Sequence, residues 1–275
     1  MVVNRLQIVV VFIILRLASD RRILSGIIPG GKMKNRDVVM SLNDLHIPFQ
    51  DDTAIKVAFK FAKYIDPKIV VLHEWLDFYS ISKFDKDPER INDLQKDINE
   101  MRKYLNALSK MLPKARMIMV KGNHDARLEK FKRSKAPELH CLDVLKIQNL
   151  FGLADYNIEY RDDFTFQGVL CKHGSIIRKY SAYTAKGELV DEGVSGMSGH
   201  THRLGMHFET NRGGKYVWLE TGCLCDMNPE YIDGIPNWQQ GLGMFCFQPN
   251  SKHFYPCIVP IIDHEIIWGS ETFKA

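Results

Sequence analysis

Between residues 38 and 202 the chain alternates short apolar runs with longer stretches whose apolar residues recur every three or four positions. Val38 to Leu42 is a short run ending in Asn43-Asp44-Leu45-His46, the pattern of a buried strand that delivers polar groups at its C-terminal end. Asp51 or Asp52 caps a predicted helix through Thr53 to Ile65, where Ile55, Ala58, Phe59 and Ala62 share a face and Pro67 closes the element. Lys68 to Leu72 predicts a second strand, ending in His73-Glu74-Trp75-Leu76-Asp77. After a loop through Asp85 to Pro88, Glu89 to Met111 predicts a long amphipathic helix, and Arg116 to Val120 a third strand ending in Gly122-Asn123-His124-Asp125. Strand, helix, strand, helix, strand is the order of a layered α/β protein with parallel central strands.

Arg127 to Phe151 predicts mostly helix, interrupted at Pro137, with Lys130, Lys132, Arg133 and Lys135 on a solvated face. Thr165 to Lys172 predicts a strand before His173-Gly174, Ala182 to Glu192 a helix, and Val194 to Met197 a strand leading into Ser198-Gly199-His200-Thr201-His202. Further strands are expected around His207 to Thr210, Lys215 to Glu220 and Gly243 to Gln248, with a turn at Arg212-Gly213-Gly214.

Composition narrows the class without choosing a function. The 275 residues, 45% hydrophobic and 25% charged, suffice for one substantial core, and a net charge of +4 permits an anionic substrate without requiring a nucleic-acid surface. Ile8 to Leu15 is apolar, but Arg16 ends it well short of the roughly 20 residues that cross a bilayer. A secretory signal would need a clearer cleavage site than Ala18-Ser19 offers. Met33 is followed by Lys34-Asn35-Arg36-Asp37 and then a clean strand, so residues 1–32 read as an extension and 33–275 as the functional domain, and the protein is expected to be cytoplasmic with no membrane association. The six cysteines form no C-x-x-C pair and read as buried reduced thiols. Cys223 and Cys225 would point the same way in a strand, which leaves a shared metal or redox role open.

The chemistry lies in where the polar residues fall. Successive strands end with Asp44 and His46, then Glu74 and Asp77, then Asn123, then His173, then His200 and His202. The carboxyl ends of strands in an open α/β sheet form the ligand crevice, so these side chains can converge. In Asp44-x-His46 and His200-x-His202, alternate residues of an extended segment project to one side. Gly122 and Gly199 remove side-chain bulk beside the site. Two metal ions fit this inventory better than one, and a pair about 3.5–4 Å apart needs a bridging carboxylate.

In these blocks the chain resembles the calcineurin-like metallophosphoesterase superfamily across roughly Val38 to Trp218, and in Asp77-Phe78-Tyr79-Ser80 and Asn237-Trp238-Gln239-Gln240-Gly241 it looks like small stand-alone phage and prokaryotic members. The family pattern D-x-H, G-D-x-x-D, G-N-H-D/E, a later H and G-H-x-H is matched by Asp44-Leu45-His46, His73-Glu74-Trp75-Leu76-Asp77, Gly122-Asn123-His124-Asp125, His173 and Gly199-His200-Thr201-His202. The resemblance implies a four-layer α/β/β/α sandwich with two mixed β-sheets, the segments after His207 supplying strands of the second. It implies that Asp44, His46 and His202 hold one ion, that Asn123, His173 and His200 hold another, and that Glu74 bridges. His124 would protonate the leaving oxygen, oriented by Asp125, while a metal-bridging hydroxide attacks phosphorus. Asp77 would support the loop.

The expected activity is hydrolysis of phosphate mono- or diesters, on a phosphorylated small molecule, a nucleotide or a nucleic-acid end. Manganese is the first choice of metal, with iron, zinc or nickel as others. The second block departs from the family, since His73-Glu74 stands where Gly-Asp is expected. Glu74 keeps the charge and can bridge, bind one ion only, or displace the nucleophile. An interaction scaffold that has lost its chemistry is therefore the alternative, and a DNA nuclease the third option.

Overall fold

The computed structural model describes residues 36–90, 93–232 and 234–275, so the expected extension over residues 1–32 lies outside the described residues. In the first sheet, β1 (Asp37–Asn43), β2 (Ile69–His73), β3 (Arg116–Val120) and β4 (Ile158–Arg161) run parallel. The second contains β5 (Phe164–Phe166), β6 (Val169–Lys172), β7 (Ser195–Ser198), β8 (Leu204–Asn211) and β9 (Gly214–Thr221) in the order β5-β6-β7-β9-β8, with β6, β7 and β9 parallel. The first sheet is completed by β10 (Gly241–Phe247), antiparallel to β1, and β11 (Phe254–Pro260) beyond it.

Period-two alternation decides the layers. From β1, β2 and β3, Met40, Leu42, Val70, Leu72, Met117 and Met119 pack with helices α1 (Asp52–Ile65) and α2 (Leu94–Met111). Their neighbours Val39, Val71, Ile118 and Val120 face Val169, Cys171, Met197, Val217 and Leu219 of the second sheet. On the far side of that sheet, Ala185 and Leu189 of a further helix, Tyr183–Glu192, close over Trp218. Helix, sheet, sheet, helix is the expected four-layer α/β/β/α sandwich with two mixed sheets. Among the described residues no helix is long and apolar enough to cross a membrane.

Local chemistry explains where the elements begin and turn. The Asp51 carboxylate accepts from the amides of Thr53 and Ala54 at 2.9 and 3.0 Å and starts α1. Helix α2 begins at Leu94 rather than Glu89, because Asp93 is the cap, accepting from Lys96 N at 3.0 Å. Thr165 to Lys172 is a hairpin, not one strand: Gln167 and Gly168 both take positive φ, as a two-residue turn requires. The stretch from Arg127 breaks into α3 (Asp125–Lys135), two short 3-10 turns and α4 (Ile147–Phe151), leaving Tyr183–Glu192 as α5. Lys130, Arg133 and Lys135 are solvated as expected, whereas Lys132 is buried and pairs with Glu129 at 2.6 Å. After His207 only β8 and β9 join the second sheet, and β10 and β11 join the first. The β10 residues Phe245 and Phe247 face the inter-sheet layer, so burial of their rings draws the strand to the edge of β1.

Candidate metal centre

The loops after β1, β2 and β3 of one sheet and after β6 and β7 of the other meet at one edge of the sandwich. Asp44, His46, Glu74, His200 and His202 all have left-handed backbone, with φ from 43° to 70°. Each such non-glycine residue costs about 1–3 kcal/mol and persists only where its surroundings hold it. Backbone hydrogen bonds from Asp44 N to His73 O (2.8 Å) and from His46 N to Glu74 O (3.4 Å) tie the first two loops together. Gly122 and Gly199 are needed for a more specific reason than general crowding. A Cβ on Gly122 would lie 2.4 Å from Glu74 Oε1, and one on Gly199 would lie 2.4 Å from Asp44 Oδ2.

All the predicted ligands come together. Asp44, His46 and His202 form one group whose ligand atoms lie within 4.8 Å of one another, and Glu74, His173 and His200 form another. Glu74 also belongs to a third group with His46 and His124. Its Oε1 accepts from the backbone N of His124 at 2.5 Å, while Oε2 lies 3.0 Å from His173 Nε2 and 3.8 Å from His46 Nε2. Asn123 Oδ1 lies 2.9 Å from His173 Nε2. Asp44 Oδ2 accepts from His200 N at 3.0 Å and from Asn43 Nδ2 at 3.2 Å, and its Oδ1 is buried with no hydrogen-bond partner.

These residues fit a bound cation. His46 Nε2 and His202 Nε2 face each other at 2.9 Å, a contact that one proton must bridge in the metal-free protein. Buried Asp44 Oδ1 and His173 Nδ1 have no hydrogen-bond partner, a condition a protein rarely leaves unmet without a ligand. Burial opposes protonation of His173, but the Glu74 carboxylate outweighs it, with help from Asp44, and pushes the ring up to about 9. Burial, seconded by the His173 charge, holds His200 down at about 4, and burial raises Asp44 to about 6. A proton therefore competes with the cation for His173 below pH ~9, and a second competes for Asp44 below pH ~6. Metal affinity should fall as pH falls, by about tenfold per unit while one proton is displaced. Titration calorimetry of manganese in buffers of different ionisation heat should find about one proton released per chain near neutral pH; no release and a flat pH profile would contradict the assignment.

Around His124 the structure corrects the expectation. Asp125 does not orient this ring: its Oδ2 accepts from Gly122 N at 3.1 Å and from the Tyr160 hydroxyl at 2.9 Å. The carboxylate on the ring is that of Asp77, 3.0 Å from His124 Nδ1 and 3.2 Å from His46 Nδ1. The reason is geometric: Asp125 opens α3, and its side chain folds back to close the turn at Gly122. Arg127, one helical turn on, sits 2.5 Å from Asp77 Oδ1 and 2.7 Å from His124 Nε2. A guanidinium only donates, so Nε2 accepts and the ring proton lies on Nδ1, the nitrogen beside the Asp77 charge but out of line for a hydrogen bond to it. Burial outweighs the nearby carboxylates and lowers the His124 pKa, which keeps the ring neutral.

Three of these neighbours were not singled out from the sequence. Arg127 reads in the sequence as part of a helix, although a cation three residues after the histidine of a G-N-H-D block lies on the same side of the first turn. Asn43, whose Nδ2 donates to Asp44 and to the Gly222 carbonyl, looks like a strand residue. Trp238 packs edge-on against His202 with ring centroids 4.3 Å apart, a contact across the fold. His73 is fully buried, with its ring 6.4 Å from that of His173. Trp75 is core, its Nε1 donating to the Leu42 carbonyl at 2.9 Å.

No family model matches the chain. It is 29% identical over 246 residues to the Gene 54 protein of Mycobacterium phage D29, across 84% of this chain and 95% of that one. It is 28% identical over 247 residues to the Gene 54 protein of Mycobacterium phage L5, with the same coverage. Among solved structures it is similar to vacuolar protein sorting 29 from Cryptosporidium parvum, at 12% identity and a TM-score of 0.45, covering 88% of this chain and all of that one. The Chaetomium thermophilum protein of the same name gives 10% identity, a TM-score of 0.42, and coverage of 86% and 98%.

Proposed function

We propose that the chain is a metal-dependent hydrolase of phosphate esters with a two-ion centre, of the calcineurin-like metallophosphoesterase kind. The observation that carries this is the position of Glu74, whose carboxylate belongs both to the group with His46 and His124 and to the group with His173 and His200. That is the place of a ligand shared between two ions. Asp44, His46 and His202 would hold one ion and Asn123, His173 and His200 the other. Two ions bound there supply Lewis-acid activation of water and of the phosphoryl group. Imidazole and oxygen donors suit manganese, iron, zinc or nickel.

The chain's own residues do the rest. Asp77 holds His46 in one tautomer through Nδ1, which fixes the nitrogen that ring turns to the centre, and its charge 3.0 Å from His124 Nδ1 favours the proton there. Arg127, 19% exposed at its side chain, binds a phosphoryl oxygen when substrate enters. As Arg127 turns to the phosphate, His124 Nε2 is uncovered and can take up a proton from solvent and pass it to the leaving oxygen, with Asp77 stabilising the charged ring in between. The substrate is a phosphorylated small molecule, a nucleotide or a nucleic-acid end, met in the cytoplasm.

Chelated protein reloaded with manganese should bind two ions per chain and hydrolyse p-nitrophenyl phosphate or bis-p-nitrophenyl phosphate, the preferred ester deciding between monoesterase and diesterase. Fewer than one ion per chain, together with no turnover on manganese, iron, zinc, nickel or magnesium, would replace this function with the scaffold.

A further inference from the structure

Two cysteines behind His202 take no part in the proposed reaction. Cys223 is bridged to Gln240 and Cys225 to Gln50, and the chain bends at Leu224 between them, which brings both sulfurs to the same ring. That ring is His202, met at its far edge. Cys225 Sγ lies 3.7 Å from His202 Nδ1, and Cys223 Sγ, Cys225 Sγ and a His202 ring nitrogen all lie within 4.8 Å of one another. Around a tetrahedral zinc ion with bonds of about 2.3 Å to sulfur and about 2.0 Å to nitrogen, neighbouring ligand atoms stand ~3.6 Å apart. Cys225 Sγ and His202 Nδ1 already stand at that spacing, and Cys223 Sγ, within 4.8 Å of both, needs only a small side-chain shift to take a third corner. Cys223 and Cys225 are fully buried and His202 is 7% exposed. Cys223 Sγ also donates to the carbonyl oxygen of Gln239 at 3.7 Å, a weak contact that a cation would displace on ligation.

We propose that Cys223, Cys225 and His202 form a separate site for a thiophilic d10 cation of the zinc or cadmium type, bound through two thiolates and His202 Nδ1. Binding releases the two thiol protons to solvent, and two thiolates around a dipositive ion make a neutral unit, which suits a buried position. The site shares its imidazole with the front centre. With a cation on Nδ1, the one proton of the neutral ring must sit on Nε2, which then cannot ligate beside Asp44 and His46. A soft ion behind His202 and a harder ion in front of it therefore compete for one ring. Since the rear site needs only these three residues, it does not depend on the proposed hydrolase activity.

Cadmium titrated into the metal-free full chain tests this by the near-ultraviolet charge-transfer absorbance of thiolate bound to the ion. One cadmium per chain should produce the band, and Cys223→Ser and Cys225→Ser should each weaken that binding at least about tenfold. A Cys246→Ser/Cys257→Ser double variant should keep the band, which separates this pair from the neighbouring buried thiols of β10 and β11. Bound cadmium should also lower manganese uptake by the wild type, read by the paramagnetic resonance of free manganese. No band in the wild type, or a band that survives both Cys223→Ser and Cys225→Ser, overturns the proposal. If a serine variant fails to fold, Cys223→Ala and Cys225→Ala give the same readout. Absent phosphoester turnover with the band intact would count against the hydrolase alone.

Discussion

Replacing Glu74 with glutamine is expected to leave at most one tightly held ion per chain and to lower phosphoester turnover by about 10³-fold, equal to ~4 kcal/mol of transition-state stabilisation. Glutamine keeps the shape and can still accept from His124 N, as Glu74 Oε1 does at 2.5 Å. What it loses is the charge on the oxygen facing His173 and His46. In the metal-free protein burial pushes the Glu74 pKa up, but the charge of His173 and its hydrogen bond outweigh it and hold it well below the usual carboxylate range. The carboxylate is thus ionised and ready for cations at any pH of interest. Metal analysis after dialysis, with turnover on the preferred ester, reads the result. Two ions and wild-type turnover in Glu74→Gln would remove Glu74 from the centre.

The companion substitution Glu74→Asp addresses the departure from the family pattern. The longer side chain occupies the room that Gly122 leaves, since a Cβ there would collide with Oε1. Glutamate with glycine at position 122 therefore solves the same spatial problem as a shorter acid, and the aspartate variant should keep both ions.

Asp77→Asn is expected to lower turnover, or manganese affinity, by roughly 10–100-fold, the usual effect of removing the group that orients a ligating histidine. Asp77 is nearly fully buried and serves His46, His124 and Arg127 at once, at 3.2, 3.0 and 2.5 Å. An amide keeps one acceptor oxygen but presents an NH2 group to a ring or to the guanidinium. Asp125→Asn should differ sharply, because its amide oxygen can still accept from Gly122 N and Tyr160, and the loss should be limited to about 1 kcal/mol of stability. Turnover, manganese affinity and thermal unfolding of the two variants separate the roles. If Asp125→Asn lost activity and Asp77→Asn kept it, the orientation of His124 would have to be assigned the other way.

Much of the candidate centre was legible because its residues follow local rules. Asp44, His46, Glu74, Asn123, His173, His200 and His202 stand at the ends of apolar runs, and the layered order of elements sends those ends to one edge. The neighbours that set proton positions were hidden. Asp77 and Asp125 are both acids near a histidine block, and their spacing does not say which carboxylate turns to His124. That depends on the backbone of the third loop, where the Asp125 side chain closes its own turn on Gly122. Cys225 and Trp238 reach His202 from loops 23 and 36 residues further on, by contacts that no period in the chain encodes.

The same division holds for the fold. Period-two and helical periodicity by themselves determined β1, α1, β2, β3 and α5, because each buries a face through residues close in sequence. The sheet that β10 joins was decided only in three dimensions, where Phe245 and Phe247 fill the space between sheets and the open edge of β1 takes up the backbone hydrogen bonds of an antiparallel partner. Sequence thus marked the candidate metal-holding residues, and tertiary packing chose their partners, because placement at strand ends follows strand direction while hydrogen-bond partners follow which loops touch.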